Sequence, residues 1–313
     1  MKIYAPEYYK KFKCTADKCE NSCCIGWEID IDGQTFEKYK GVQGHFGKRL
    51  QECISDGAMD ERHFILGESD RCPFLNGNNL CDIYIELGEE NLCDICRAHP
   101  RFRNFYDSRT EVGLGLCCEA AADLILEWQQ PFSLIVIDED DEDERFDDLE
   151  DVFFDLREKA FEIIQNGKMS AEEIVSVMLE TFGQSADTVS LQNKIKFYLS
   201  LEILDDEWKM ILENALAHKR FDYDIFKSKE GQNIQRQLLL YFVYRHTAEG
   251  IYDGTFGAWI KFSVLGLEMI KALCAASEKP DVECFKDIAR RYSAEIEYSE
   301  ENTEKLLSLL CMN

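Results

Sequence analysis

Residues 147–164 read DDLEDVFFDLREKAFEII, and this stretch sets the pattern for the sequence that follows it. Apolar side chains recur every three or four residues, which is the spacing of one face of an α-helix. They are Leu149, Val152, Phe153, Leu156, Ala160, Ile163 and Ile164. The stretch therefore predicts an amphipathic helix whose apolar face packs against a core.

The same period continues toward the end of the sequence. Ser170 and Glu173 have the spacing of a capping box, which predicts the start of the next helix. Later helices are predicted near 189–203, 205–217, 232–248, 255–276, 282–296 and 299–311. The alternation needed for a parallel βαβ sheet is missing, so the predicted fold class is mainly α.

A run of seven acids, Asp138–Glu144 (DEDDEDE), precedes the helices. Like charges in such a run repel one another, which predicts a solvated connector. We therefore expect a cysteine-rich domain at 1–137 and an all-α domain at 138–313. The first contains 15 basic and 23 acidic residues and the second 20 and 38, so most of the net charge of −26 belongs to the helices.

The first domain shows short, mixed signals. Residues 27–32 (WEIDID) alternate apolar and acidic side chains, as a strand does, and a short helix is predicted near 35–39. Residues 101–116 predict two short extended pieces, and residues 117–128 (CCEAAADLILEW) predict a helix. The domain should therefore combine short strands with short helices.

Eleven of the 14 cysteines precede residue 119, and ten of them follow a clustered pattern. A C-x2-C turn directs two thiolates at one ion, and thiolates favour zinc, iron–sulfur clusters or Cu(I). Ten thiols exceed one site, so either two sites exist or some cysteines are small core residues. His99 is either a zinc ligand or a loop donor. The candidate metal ligands are Cys14, Cys19, Cys23, Cys24, Cys72, Cys81, Cys93, Cys96, Cys117 and Cys118.

Charge and hydropathy exclude several classes of protein. A net charge of −26 argues against nucleic-acid and anionic-membrane partners, which need basic surfaces. No run of 18 apolar residues occurs, and the first residues do not have the form of a signal peptide. We therefore expect a cytoplasmic protein whose thiols are reduced and available for metal or redox chemistry.

Several segments resemble the flagellin lysine-N-methylase family. They include PEYYKKFKC (6–14), DKCENSCCIGWEIDID (17–32), LCDICRAHPR (92–101) and LCCEAAADLIL (116–126). The likeness resumes at YFVYRHTAEGIYDG (241–254) and RYSAEIEYSEENTEKL (291–306). The cysteine pattern is shared by a broader group of proteins described as iron- or zinc-chelating, and the two C-terminal segments narrow the resemblance to the methylases.

This resemblance implies transfer of methyl groups from S-adenosylmethionine to lysine side chains of flagellin or another lysine-bearing protein. It also implies a [4Fe–4S] cluster, with zinc as the alternative, on the ten cysteines given above. Two other functions stay open: a non-enzymatic zinc- or iron-binding adaptor, and a redox protein.

The C-terminal segments contain the candidate catalytic residues. Tyr241 and Arg245 are four residues apart, as are Arg291 and Glu295, so each pair should share a helix face. His246, Tyr252 and Glu297 belong to the same segments. These side chains form either a lysine- or donor-binding pocket or a network of salt bridges between helices. The predicted catalytic set is Tyr241, Arg245, Tyr292 and Glu295.

Overall fold

The computed structural model describes residues 1–57, 62–139, 147–185, 188–218, 221 and 223–311, and it divides the chain into two compact units. We call Lys13–Phe102 the thiol unit, and Met1–Phe12 with Arg103–Asn313 the helical unit. These units differ from the division predicted at residue 137. The reason is strand pairing, since the first residues of the chain pair with strands that flank residues 115–133.

The helical unit contains nine of the α-helices among the described residues. They are α5 (Glu119–Leu126), α6 (Asp148–Ile164), α7 (Ala171–Thr181), α8 (Leu191–Tyr198), α9 (Asp206–Ala217), α10 (Lys229–His246), α11 (Phe256–Ala275), α12 (Val282–Tyr292) and α13 (Glu300–Cys311). The capping box predicted for α7 is present: Glu173 N–H donates to Ser170 Oγ at 3.2 Å, and Ser170 N–H donates to Glu173 Oε2 at 2.7 Å. The mainly α prediction is confirmed.

The core of the helical unit is built around α10 and α11. Most residues of both helices are buried, including the apolar run Leu238–Tyr244. The prediction for α6 is only partly right. Phe153, Ala160, Ile163 and Ile164 are buried, whereas Leu149, Val152 and Leu156 are exposed. The apolar stripe of α6 is therefore wider than the face that the core covers.

A four-stranded sheet has the order β2-β3-β1-β4. Its strands are β1 (Lys2–Pro6), β2 (Arg101–Phe105), β3 (Thr110–Leu114) and β4 (Leu134–Glu139). β1 is parallel to β3 and antiparallel to β4. The two extended pieces predicted in 101–116 are confirmed as β2 and β3, and β3 leads through Leu116 toward α5.

The thiol unit has short elements: α1 (Gly33–Gly41), α2 (Gly44–Glu52), α3 (Asp82–Leu87) and α4 (Asp94–Ala98). The strand predicted at 27–32 is wrong, because Asp30 makes only an isolated bridge with His63. The predicted alternation is nevertheless visible in burial, since Ile29 and Ile31 both lie in the core of this unit. Cys72 and Cys93 belong to the same core.

The acidic run before the helices is only partly described by the structure. Within the predicted acidic connector, Asp138 and Glu139 belong to β4, whereas residues 140–144 lie outside the described residues. Within the described part of the chain, none of the helices has the length and apolar character that a membrane span requires.

Candidate functional site

Two neighbouring elements of the helical unit carry the polar side chains that the C-terminal segments predicted as a site. α10 ends with Tyr241, Arg245 and His246. α12 continues into a π-helical turn, Ser293–Glu297, in which Tyr298 N–H donates to the carbonyl of Ser293 at 3.2 Å, five residues back. Such π turns are rare and occur frequently at functional sites.

Glu297 connects these elements. Its Oε2 accepts a hydrogen bond from the Tyr241 hydroxyl at 2.7 Å. The same oxygen lies 2.7 Å from His246 Nε2 and 3.3 Å from Arg245 Nε. Arg245 Nη1 donates to the Tyr241 hydroxyl oxygen at 2.7 Å, and Leu116 N–H donates to it at 3.2 Å. We call Tyr241, Arg245, His246 and Glu297 the Glu297 cluster.

The charges of the Glu297 cluster balance. Burial by itself raises the pKa of the Glu297 carboxyl, but Arg245 and His246 outweigh this effect and hold that pKa below its usual value. Burial lowers the pKa of His246 despite its hydrogen bond with Glu297, so the imidazole is neutral and donates its Nε2–H. Burial also raises the pKa of Tyr241, which remains a phenol. One carboxylate therefore faces one guanidinium.

One atom of this cluster has no partner among the residues that the structure describes. Glu297 Oε1 accepts no hydrogen bond from any of them, and the side chain is completely inaccessible to solvent. A buried acceptor without a donor costs about 1–3 kcal/mol. The ring of Tyr298, which is half exposed, lies 4.7 Å from the Arg245 guanidinium. Glu297 Oε1 is therefore a buried acceptor to which the N–H group of a ligand could donate.

The structure joins Tyr241 and Arg245 by a hydrogen bond, as their spacing predicts, and gives the other two candidates different partners. The hydroxyl of Tyr292 lies 3.1 Å from the hydroxyl of Tyr198. Glu295 Oε2 accepts a hydrogen bond from Leu204 N–H at 2.9 Å, and burial raises the pKa of Glu295 to about 7. Tyr292 thus contacts Tyr198, and Glu295 contacts the backbone that leads into α9.

Helical spacing selected Glu295 and passed over Glu297 for a physical reason. Arg291 and Glu295 are four residues apart and would share a face in a regular α-helix. In the structure Arg291 Nε instead donates to Asp287 Oδ2 at 2.9 Å. The π turn between residues 293 and 297 widens the helix, so the 3.6-residue spacing no longer predicts which side chains face α10. No signal in the spacing could have identified Glu297 as the central residue.

Cys117, a predicted metal ligand, lies beside the Glu297 cluster. Its side chain hydrogen-bonds with the Tyr298 hydroxyl, and burial raises its pKa. Cys117 and Cys118 belong to the helical unit, whereas the other eight predicted ligands belong to the thiol unit. The ten cysteines of the sequence pattern are therefore divided between the two units.

Five thiols of the thiol unit lie close to one another. The side chains of Cys93 and Cys96 hydrogen-bond to each other, and Cys96 is near enough to interact electrostatically with Cys24 and Cys72. Cys72 interacts in the same way with Cys24 and with Cys81. The C-x2-C pair and thiols from three other segments thus converge, as the sequence pattern predicts.

Among the remaining candidates in the thiol unit, the side chain of Cys23 hydrogen-bonds with Cys24 of this group, whereas Cys14 and His99 have other contacts. Cys14 is exposed, and its sulfur accepts a hydrogen bond from Ala16 N–H at 3.4 Å. The His99 ring lies 6.2 Å from the indole of Trp27, and burial lowers the pKa of His99 to about 4.

The five thiols fit a soft metal in the chemistry of their donors, because zinc and iron–sulfur centres are ligated by thiolates. Their arrangement fits less well. In the segments that the structure describes, no group of three or more His, Cys, Asp or Glu side chains is disposed to hold a metal ion. The fit of these thiols to a metal therefore rests on their donor chemistry and on their proximity.

Comparison with known proteins gives one family. The model of the FliB lysine N-methylase C-terminal domain matches residues 114–313, which include the whole Glu297 cluster. No solved structure matches the chain.

Two curated relatives are similar over 129 residues at 26% identity, which is 40% of this chain. They are the lysine-N-methylase of Salmonella typhimurium strain LT2 and the flagellar biosynthetic protein FliU of Salmonella muenchen. The match spans 32% of the length of the first relative and 76% of the second.

Proposed function

Because the chain belongs to the family of the FliB lysine N-methylase C-terminal domain, we propose that it transfers methyl groups from S-adenosylmethionine to lysine side chains of a protein. Flagellin is the first substrate to test, because one relative is named a lysine-N-methylase and another a flagellar biosynthetic protein. The observation that carries this proposal is the vacant, buried Oε1 of Glu297 within the matched domain.

Methylation requires a neutral lysine amine, since the lone pair of nitrogen attacks the methyl group. The pKa of a free lysine is about 10.4, so its ammonium must lose a proton first. Burial disfavours the charged ammonium and lowers the pKa of an incoming amine, which would release its proton to solvent as it enters the site. Glu297 Oε1 can then accept one N–H of that amine and leave its lone pair directed elsewhere.

The Glu297 cluster also positions its own acceptor. Tyr241, Arg245 and His246 all contact Oε2 of Glu297, and this fixes the carboxylate with Oε1 vacant. The bound donor, S-adenosylmethionine, supplies an electrophilic methyl group. The rings of Tyr241 and Tyr298 near Arg245 are of the kind that attracts sulfonium and ammonium cations.

We propose further that the thiol unit holds a [4Fe–4S] cluster, with zinc as the alternative. The ligands would come from the five converging thiols, which are Cys24, Cys72, Cys81, Cys93 and Cys96. A metal centre held by these thiolates would supply Lewis-acid chemistry for binding of the methyl donor.

Anaerobic purification followed by iron, sulfide and zinc analysis tests the metal proposal, and titration with S-adenosylmethionine tests the donor. Iron and sulfide together with donor binding support the cluster-containing methylase. Zinc without donor binding supports the adaptor alternative, and a reversible redox transition without donor binding supports the redox protein.

A pair of neighbouring variants tests the role of the Glu297 cluster. Glu297→Gln keeps the shape of the side chain and removes the charge, and we expect methyl transfer to flagellin to fall by about a hundredfold. Glu295→Gln is the matched control, since Glu295 lies in the same π turn, is also buried and hydrogen-bonds to backbone at Leu204.

Thermal melting of both variants separates catalysis from folding. We expect Glu297→Gln to remain folded and inactive, and Glu295→Gln to retain most of the activity. The reverse result would be an active Glu297→Gln protein and a folded but inactive Glu295→Gln protein. It would assign the catalytic role to Glu295, the residue that helical spacing selected.

A further inference from the structure

The solvent side of α6 carries an apolar stripe that none of the described residues of the helical unit covers. Leu149 is 53% exposed, Val152 57% and Leu156 39%. These positions follow the i, i+3, i+7 spacing of one helix face. The inward face of the same helix is formed by other residues, among them Phe153, Ala160 and Ile164. The packing of α6 against the core therefore does not use the side chains of this stripe.

Acidic side chains border this stripe. At about 100° per residue, Asp148, Asp151 and Asp155 follow Val152 around the helix on the side away from the core. All three are exposed. The outer surface of α6 thus presents a row of apolar side chains beside a row of carboxylates. We call these six residues the α6 face.

An exposed aromatic ring lies near the first turn of α6, where it contacts Glu150 on the side of the helix opposite the α6 face. Tyr252 is 64% exposed, and its hydroxyl donates to Glu150 Oε1 at 3.4 Å. The carboxylates of Asp107 and Asp147 are close enough to interact with this hydroxyl electrostatically. An exposed tyrosine ring with carboxylates around it suits a lysine ammonium, through cation–π and charge attraction.

We propose that the α6 face docks a lysine-bearing amphipathic segment of the protein substrate. Apolar side chains of that segment would cover Leu149, Val152 and Leu156, and its lysines would pair with the adjoining aspartates. This inference rests on the proposed function, because it takes the docked segment to belong to the methyl-accepting protein.

Charge complementarity selects this occupant. A second copy of the chain would bring the same carboxylates to the interface, and like charges facing each other oppose association. Nucleic acids and anionic membranes carry the same sign of charge as the α6 face. A basic amphipathic helix satisfies both the apolar row and the acidic row.

Binding of a defined peptide tests this docking surface on the full chain. The probe is a fluorescent amphipathic peptide of about 18 residues with leucine on one helical face and lysine on the other. A second peptide has glutamate in place of lysine. Titrations are done without methyl donor, so that they report docking and not turnover.

Two triple variants separate the apolar row from the acidic row. Leu149→Ser with Val152→Ser and Leu156→Ser should weaken binding of the lysine peptide by about tenfold or more, because burial of these side chains is lost. Asp148→Asn with Asp151→Asn and Asp155→Asn should weaken it as well and remove most of its salt dependence.

A control on another helix matches the chemistry of these changes. Met210→Ser with Glu213→Gln alters one exposed apolar and one exposed acidic residue of α9, and binding should be unchanged. Equal affinity of the wild type and the serine variant for the lysine peptide would overturn the proposal. Equal affinity for the lysine and glutamate peptides would do so too.

The docking inference and the proposed function fail in different ways. If Glu297→Gln abolishes methyl transfer while peptide affinity is unchanged, the two are separate and both stand. If the wild type binds the lysine peptide at the α6 face but methylates no protein, the proposed function fails and the docking surface remains. If methyl transfer proceeds with full efficiency in the serine variant, the α6 face is not the substrate dock.

Discussion

The thiol unit and the helical unit bury polar chemistry in different ways. The longest helices of the thiol unit, α1 and α2, have nine residues each, and thiols such as Cys72 and Cys93 form part of its core. In the helical unit, α10 and α11 have 18 and 20 residues, and the buried polar groups include charges held by opposite charges. Nine-residue helices are too short to be stable alone, so the thiol unit depends on its side-chain core.

Glu111 and Arg157 show what the helical unit does with charge. Arg157 Nη1 donates to Glu111 Oε2 at 2.7 Å and Nη2 to Oε1 at 2.6 Å, and both side chains are almost completely buried. Arg109 contacts the same carboxylate at 2.6 Å. A permanent ion pair needs no ligand, whereas a thiol core can change with a bound metal or with oxidation. The comparison therefore predicts that the two units respond to different treatments.

The largest effect is expected from removing two core thiols. Cys72→Ser with Cys93→Ser buries two hydroxyls in an apolar site, at a cost of about 1–3 kcal/mol each, and removes two proposed metal ligands. Amide hydrogens of α1 and α2 should exchange about a hundredfold faster, while those of α10 and α11 keep their protection. Cys311→Ser, at an exposed thiol, is the control. Uniform loss of protection in all four helices would show that the units do not respond separately.

A smaller, global effect is expected from breaking the buried ion pair. Arg157→Met leaves Glu111 with Arg109 alone, and we expect the free energy of unfolding of the helical unit to fall by about 3 kcal/mol. Lys40→Met, which breaks the exposed pair with Glu37, should change stability by less than about 1 kcal/mol. Urea denaturation followed by circular dichroism measures both. Similar values for the two variants would contradict the contrast drawn between buried and exposed pairs.

The smallest effect concerns pH. Burial raises the pKa of Glu295 from 4.5 to about 7, so the folded protein binds a proton there that the unfolded chain has lost. The contribution of Glu295 to stability should therefore decline as the pH rises from 4.5 to about 7. Glu295→Gln should flatten this part of the pH dependence of the urea midpoint, and Glu172→Gln, at an exposed carboxylate, should not. An unchanged slope in Glu295→Gln would show that Glu295 ionises as it does in the unfolded chain.

Sequence periodicity predicted the helices of the helical unit well, because each buries a continuous apolar face against neighbours. Periodicity failed to predict burial where no neighbouring element packs against part of the apolar face. Leu149, Val152 and Leu156 of α6 have core spacing, yet they are exposed. Periodicity shows which side chains share a face and cannot show whether another element covers that face.

The part of the candidate site that lies on the regular helix α10 was predictable from residue spacing. Tyr241 and Arg245 share a face of α10 at regular spacing, and the structure joins them by a hydrogen bond. Glu297 follows a π turn, where regular spacing no longer applies. The partners of Glu297 on α10 are about 50 residues away in sequence, so only packing could bring them together.

By itself, the sequence determined the helical class, the clustering of the cysteines and the excess of acid in the helices. These properties depend on the order and kind of neighbouring residues. Tertiary structure decided that the first strand packs with the helical unit, that Cys117 belongs to a different unit from the main group of thiols, and that Glu297 Oε1 is buried without a donor among the described residues. Such properties depend on contacts between distant segments, whose partners the local pattern of side chains does not specify.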